Sequence, residues 1–264
     1  MTSQAKPPLE RLLAIMARLR DPQRGCDWDI AQTFETIAPY TIEESYEVAD
    51  AIARNDLAAL KDELGDLLFQ VVFHSRIAEE AGHFAFDDVA TAISDKMEAR
   101  HPHIFGDDPG EDHSREERWE RIKADERAAK GASSALDGVA LALPALLRAE
   151  KLQKRAARVG FDWPDVAGPA DKLVEETDEL AAAETDADRF EEAGDLLFAA
   201  VNLVRAYGVP AEEALRAANL KFERRFQAME ALAEQRGLNF SALTLDQQEA
   251  LWVDVKASEA SKSA

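Results

Sequence analysis

Two pairs of acidic residues, each present twice, are the side chains of this sequence best spaced to do chemistry. Glu44 and Glu47 stand three apart, as do Glu63 and Asp66; Glu176 with Glu179 and Glu192 with Asp195 repeat the spacing later in the chain. Residues three apart on a helix share a face, with β-carbons about 5–6 Å from each other. Two such helices packed antiparallel would gather four carboxylates around one point. Hard cations such as Mg²⁺ take carboxylate oxygens and keep other positions for water and substrate phosphate. Two carboxylates about 5 Å apart repel by roughly 3 kcal/mol at an effective dielectric near 20, so four of them call for protons or a divalent cation. The bland alternative is a set of solvated helix faces, common in a chain with 52 acidic residues. The flanking sequence argues against it. Residues 64–73 and 196–204 are apolar almost all round, which predicts buried helices. Asp66 and Asp195 open those runs, where a buried acid without a partner is costly.

Basic and aromatic residues supply the other half of a phosphorylated ligand's needs. Lys221 and Arg225 are four apart and offer two cations on one face. Trp252 and Lys256, also four apart, offer an indole for a base and a cation beside it. Read singly, such residues are more often surface cations and core tryptophans; their duplication beside an acid cluster favours the ligand. His101-Pro-His103 lacks a third metal ligand, His74 follows an apolar run as a satisfied rim histidine would, and Cys26 has no Cys or His neighbour. No phosphate-cradling glycine-rich loop is present, so carboxylates and metal would have to hold any nucleotide.

These residues belong to an internal repeat. Glu63-Leu-Gly-Asp-Leu-Leu-Phe69 returns as Glu192-Ala-Gly-Asp-Leu-Leu-Phe198, and Glu43-Glu-Ser-Tyr-Glu47 as Glu175-Glu-Thr-Asp-Glu179. Gly25-Cys-Asp-Trp28 matches Gly160-Phe-Asp-Trp163, Lys96 to Arg100 matches Lys221 to Arg225, and Trp119 to Lys123 matches Trp252 to Lys256. Five motifs in one order, offset by 125 to 135 residues, mark a duplication. The small, polar Lys130-Gly-Ala-Ser-Ser134 suits a linker, which gives modules of 1–134 and 135–264. Gly106 to His113 reads as an exposed loop of the first module.

Helical periods dominate, and no run shows convincing strand alternation. The spacing predicts helices over Leu9–Leu19, from near Leu57 to Ala81, and from Asp87 to about Arg100. Pro39 disfavours continuous helix, so Thr41 is the expected N-cap of the segment bearing Glu43, Glu44 and Glu47. The second module predicts helices over about 144–158, 169–185, 188–207, 210–236 and 244–258. The fold class is all-α, as tandem four-helix-type modules.

Composition bounds the function. A net charge of −21, from 52 acidic against 31 basic residues, repels a nucleic-acid backbone and disfavours it as the main ligand. Loaded with Mg²⁺, an acid cluster attracts phosphate instead. Hydrophobic residues make up 46%, enough for sizeable cores. One cysteine excludes an internal disulfide, the first eight residues lack a signal peptide's apolar core, and Leu67–Phe73 is too short to span a bilayer. A cytoplasmic protein without a membrane segment is expected.

With these motifs in view, the chain resembles the MazG family of bacterial two-domain nucleoside triphosphate pyrophosphohydrolases, in the all-α NTP pyrophosphatase superfamily. The resemblance spans about residues 9 to 258 and includes Arg18-Leu-Arg-Asp-Pro22, Thr33-Phe34, Ala38-Pro-Tyr40 and Arg100-His-Pro-His103 besides both acidic motifs. It implies hydrolysis of ribo- and deoxyribonucleoside triphosphates, whatever the base, to the monophosphate and pyrophosphate, with Mg²⁺ as cofactor and Mn²⁺ as a substitute. Carried over by position, the metal ligands are Glu176, Glu179, Glu192 and Asp195, with a second set, silent or not, at Glu44, Glu47, Glu63 and Asp66. Lys172, Lys221 and Arg225 fall where phosphate contacts are expected, and Trp252 and Lys256 where the nucleotide is held. The resemblance makes the C-terminal module catalytic and the N-terminal one structural or regulatory; Tyr40 stands where the second module has Lys172. Glu175, beside the spaced pair, joins Glu176, Glu192 and Asp195 among the candidate catalytic acids. The superfamily also implies a homodimer that completes each four-helix core between chains. The competing expectations are a nucleotide-sensing or partner-binding module with little turnover, and a purely structural bundle that ignores metal.

Overall fold

A computed structural model of the chain describes residues 6–106, 122, 131 and 133–262. The described secondary structure is helical throughout. Contacts gather into two compact units, Met1–Ile122 and Lys123–Ala264. Most of the expected loop at Gly106–His113, the first module's Trp119 and Lys123, and Lys130 of the expected linker lie outside the described residues.

The first unit opens with α1 (Pro8–Leu19), whose first turn takes a proline where the N–H would be unused anyway. The chain turns back at Asp21–Gly25: Asp21 Oδ1 accepts from Gln23 N and Arg24 N at 2.9 and 3.0 Å, and a Cβ on Gly25 would overlap the Leu19 carbonyl oxygen. A short α2 (Asp27–Ala31) leads to α3 (Phe34–Ala53), joined by a three-residue link to α4 (Leu57–Glu80). The link forces α3 and α4 into an extensively packed antiparallel hairpin. α5 (Phe86–Arg100) and α6 (Pro102–Phe105) follow. Met16 of α1, Ile37 of α3, and Val72, Phe73 and Ile77 of α4 form the core.

Thr41 does not cap the acidic helix, contrary to the sequence expectation. α3 runs straight through Pro39 from an N-cap at Thr33, which forms a reciprocal capping box with Thr36. Pro39 sits early in the helix, where it removes one backbone bond, and Ile37, 1% exposed, anchors the turn before it. Thr41 Oγ1 instead lies 3.0 Å from His74 Nε2, satisfying the rim histidine, whose ring also stacks on Phe34.

In the second unit α7 (Ala145–Arg158), α8 (Ala167–Ala182) and α9 (Asp186–Ala206) repeat α1, α3 and α4, and α8 and α9 again form a tight hairpin. Thr185 and Asp188 cap α9 reciprocally. α10 (Ala211–Gln235) starts under a buried acid: Glu150 Oε2 of α7 accepts from Ala211 N at 3.1 Å while its other oxygen pairs with Lys154 at 2.6 Å. A 3₁₀ turn (Phe240–Ala242) leads to α11 (Leu245–Lys262), which packs on α10 through Met229, Ala233, Leu251 and Val255. Upstream, Asp137 Oδ2 accepts from Ser133 N and Ser134 N, and Arg155 donates to the carbonyls of Ala135 and Asp137, so residues 133–137 are tied to α7.

The runs 64–73 and 196–204 are not buried all round, as their apolar character predicted. Leu64 is 49% exposed and Leu197 60%, with Leu68 and Phe198 also open to solvent. Asp66 and Asp195 are exposed as well. Among the described residues, the ends of α4 and α9 nearest the acids keep an apolar face open to solvent.

Candidate functional site

Each helix hairpin delivers its acids to one place. Oxygens of Glu176, Glu179 and Glu192 lie within 4.8 Å of one another, and so do those of Glu44, Glu63 and Asp66. Glu47 stands near enough for its charge to act on Glu44 and Glu63. Asp195, one turn from Glu192, lines a cavity together with Glu176. Burial, then the charges of Glu179, Glu176 and Asp195, pushes the Glu192 carboxyl above the usual carboxylate range. Glu44 is raised by burial and by Asp66 and Glu47, and Glu63 by burial and by Glu47 and Asp66.

Glu176 carries the strongest signal in the cluster. It is 4% exposed, and its Oε2 has no hydrogen-bond partner. Its Oε1 lies 2.5 Å from Lys172 Nζ, which also reaches Glu175 Oε1 at 2.9 Å and is thereby held above the ordinary lysine range. A buried carboxylate oxygen without a donor is costly, so this oxygen fits a cation that these acids would share. The donor set is all oxygen, which suits Mg²⁺ or Mn²⁺ over softer metals. Glu175 points at Lys172 and stands outside the tight cluster.

Beside the second cluster lies a cavity of about 620 Å³, in the size range of small-molecule sites. Lys172, Glu176 and Asp195 line it together with Trp163, Phe161 and Phe198. Trp163 lies directly on Gly168 in the first turn of α8, where any Cβ would overlap the indole. The loop before it is pinned by Arg205, which donates to Asp162 at 2.6 and 3.0 Å and holds that carboxyl below its usual range.

The remaining candidates gather elsewhere in the same unit. The Arg225 guanidinium of α10 lies 5.5 Å from the Trp252 ring centroid of α11 and donates to Glu259 at 2.8 Å. Lys221 and Lys256 are exposed on the same two helices. Lys221, Arg225, Trp252 and Lys256 are not among the residues lining the cavity.

In the first unit Tyr40, at the position of Lys172, sets its ring edge-on to Trp28 at 6.1 Å. Phe73 there corresponds to Asn202 of the second unit by the offset of 129 that relates Glu63 to Glu192. Phe73 is 1% exposed in the core, whereas Asn202 faces the cavity.

Several of these residues escaped the sequence. Trp163 and Asp162 belong to the repeat but carried no sign of a cavity. Asn202 is the polar break in an apolar run and could have been singled out. Gln153 of α7, also on the cavity wall, is a glutamine in a charged helix and carries no signal of its own.

Comparison with known proteins agrees with the motifs. The model of the MazG nucleotide pyrophosphohydrolase domain matches residues 32–105. A nucleoside triphosphate pyrophosphohydrolase of Escherichia coli strain K12 is 54% identical over 257 residues, covering 95% of this chain and 98% of the relative. The Thermotoga maritima nucleoside triphosphate pyrophosphohydrolase/pyrophosphatase MazG is 44% identical over 250 residues, covering 95% and 96%. An uncharacterized Bacillus subtilis protein, YabN, is 41% identical and covers 98% of this chain, which spans 56% of its length. Identity of this order across nearly the whole length of both chains places the sequence by descent: it belongs to the MazG family of nucleoside triphosphate pyrophosphohydrolases.

Proposed function

We propose that the chain hydrolyses ribo- and deoxyribonucleoside triphosphates to the monophosphate and pyrophosphate, with Mg²⁺ as the working cation, and that module 135–264 performs the reaction. The observation that carries this reading is the unpartnered, buried Oε2 of Glu176 in a tight carboxylate cluster on the wall of the cavity. Glu176, Glu179, Glu192 and Asp195 would hold the cation, which when bound neutralises phosphate charge and makes a nearby water more acidic. Lys172, paired with Glu176 in the cluster, would turn from it to a phosphate oxygen. Glu175, released from Lys172 by that turn, would be free to accept a proton from the attacking water. Trp163 and Phe198 close off one side of the site with apolar surface.

Lys221, Arg225, Trp252 and Lys256 would meet phosphate and base from the partner chain of a homodimer, since in their own chain they stand away from the cavity. The apolar faces left open on α4, α8 and α9 support such an assembly. A cytoplasmic location fits the single free cysteine, and no described helix is long and apolar enough to cross a membrane. Module 1–134 retains the acids Glu44, Glu47, Glu63 and Asp66 but fills the position of Asn202 with Phe73, which favours a regulatory or structural cation site there.

Phosphorus NMR of ATP turnover tests the reading. AMP and pyrophosphate are expected, lost on chelation and restored by Mg²⁺. ADP with orthophosphate as the products would overturn it, and tight binding of a non-hydrolysable triphosphate without turnover would favour a nucleotide sensor.

A further inference from the structure

The wall of the cavity beside Glu176 includes two buried amides. Gln153 of α7 is 6% exposed and Asn202 of α9 is 7% exposed, and both line the cavity. Their orientations are fixed by chemistry. Gln153 Nε2 donates to the Phe198 carbonyl oxygen at 2.9 Å, which leaves Oε1 buried with no partner. Asn202 Oδ1 accepts from Arg205 Nε at 2.9 Å and Nη2 at 2.7 Å. Arginine only donates, so the amide cannot be turned over without setting donor against donor. Asp162 holds Arg205 from its other side. The wall therefore presents one acceptor, Gln153 Oε1, and keeps one donor, Asn202 Nδ2, for whatever enters.

We propose that Gln153 and Asn202 hold the nucleobase of the substrate by its Watson–Crick edge, as residues that recognise the presence of a base. This rests on the reading of the site as one for nucleoside triphosphates. Every common base carries a neighbouring donor and acceptor on that edge: N6–H with N1 in adenine, N4–H with N3 in cytosine, N1–H with O6 in guanine, N3–H with O4 in uracil and thymine. Guanine presents the two in the reverse sense to adenine and cytosine, and turning the base over restores the match. Trp163 and Phe198 offer aromatic surface to either face of a base, because stacking does not depend on which face is presented. One acceptor and one donor thus accept all bases, while a triphosphate without a base leaves Gln153 Oε1 unpaired. The first unit has no such pair, because Phe73 occupies the position of Asn202 in its core.

The experiment compares kcat/KM for ATP, GTP, CTP, UTP and a base-free ribose triphosphate in the Mg²⁺-loaded dimer or monomer as isolated. Asn202→Asp keeps the acceptor for Arg205 and replaces the donor by a second acceptor. Two acceptors match the N1–H and N2–H donors of guanine, so the ratio of GTP to ATP is expected to rise at least about tenfold, the size of one good bidentate discrimination. Gln153→Met matches the side chain's shape and removes its acceptor; the advantage of all four nucleotides over the base-free compound is expected to shrink, mainly through KM. Circular dichroism checks that both variants fold, and either one suffices for the test. Calorimetry with non-hydrolysable ATP and GTP analogues reads the same ratios without turnover. If the wild type releases no pyrophosphate, the functional reading fails, and these binding ratios alone decide the amide pair. Unchanged base ratios in the folded variants overturn the pair and leave water as the partner of Gln153.

Discussion

Lys172 Nζ stands 2.5 Å from Glu176 Oε1, one helical turn along α8, so the second acidic cluster already holds a cation of its own. Tyr40 at the same position brings no charge to the first cluster. A bound divalent cation has to compete with Lys172 for Glu176, and a phosphate that draws Lys172 away makes the cluster a better metal site. Lys172→Met is therefore expected to strengthen Mn²⁺ binding to the nucleotide-free protein several-fold while lowering kcat/KM for triphosphates. Electron paramagnetic resonance of Mn²⁺, set beside steady-state kinetics, reads the two effects. Weaker metal binding in this variant would mean that Lys172 orders the cluster rather than competing for it.

The two acid clusters are expected to respond differently to loss of a ligand. Glu192→Gln or Asp195→Asn should reduce pyrophosphate release by about a hundredfold or more, the scale on which a preorganised charge-stabilising group acts. Glu63→Gln or Asp66→Asn should leave most of the rate and change only thermal stability or its response to Mg²⁺. The distinction follows from Phe73 filling the first unit's core where Asn202 borders the cavity of the second. Loss of turnover on the Glu63 or Asp66 substitutions, with the Glu192 and Asp195 variants active, would reverse the roles of the modules.

Asp162 gives the protein an acid limb that can be assigned. Its hydrogen bonds from Arg205 hold its folded pKa below the ordinary aspartate value. A depressed pKa means that the folded state binds this proton more weakly than the unfolded chain does. The stabilisation is present above the unfolded value, about 3.9 for aspartate, and is lost as pH falls through the lower folded value. The pair is partly open to solvent, so about 1 kcal/mol is at stake after screening. Asp162→Asn should lower the thermal midpoint at neutral pH by about 3 °C and flatten its fall below pH about 4. Melting curves of both proteins between pH 3 and 7, run in parallel, check this; an equal acid slope in each would assign the loss to other carboxylates.

The acids, the repeat and the helices were legible because each rests on short-range rules: i, i+3 spacing, capping residues, and recurrence of whole motifs. Pro39 misled because a proline argues locally for a break, whereas the Thr33–Thr36 box and the buried Ile37 hold the helix from both sides. Leu64 and Leu197 misled for a different reason. An apolar run argues for burial on average, and single apolar residues such as these can still stand open to solvent. Gln153 could not have been found at all, because its interest lies in one orphaned oxygen, left over when its Nε2 donates to the Phe198 carbonyl of another helix.

The exposed leucines lead to the remaining expectation, a homodimer. Val174 of α8 is 62% exposed, and Leu64 and Leu197 open the apolar runs that α4 and α9 leave uncovered. A protein with a net charge of −21 repels its own copies at long range, so self-association needs apolar contact of this kind to prevail. Light scattering should give twice the chain mass of 29.1 kDa at micromolar concentration, and more firmly as salt screens the repulsion. The double variant Leu64→Glu, Leu197→Glu puts charge on the open face of both units and should shift the protein to monomer. If Lys221, Arg225 and Trp252 serve the partner's cavity, that variant should also lose pyrophosphate release, although no acid of either cluster has been touched. A wild-type mass of one chain across this range would exclude the dimer, and a fully active monomeric variant would return those three residues to their own chain.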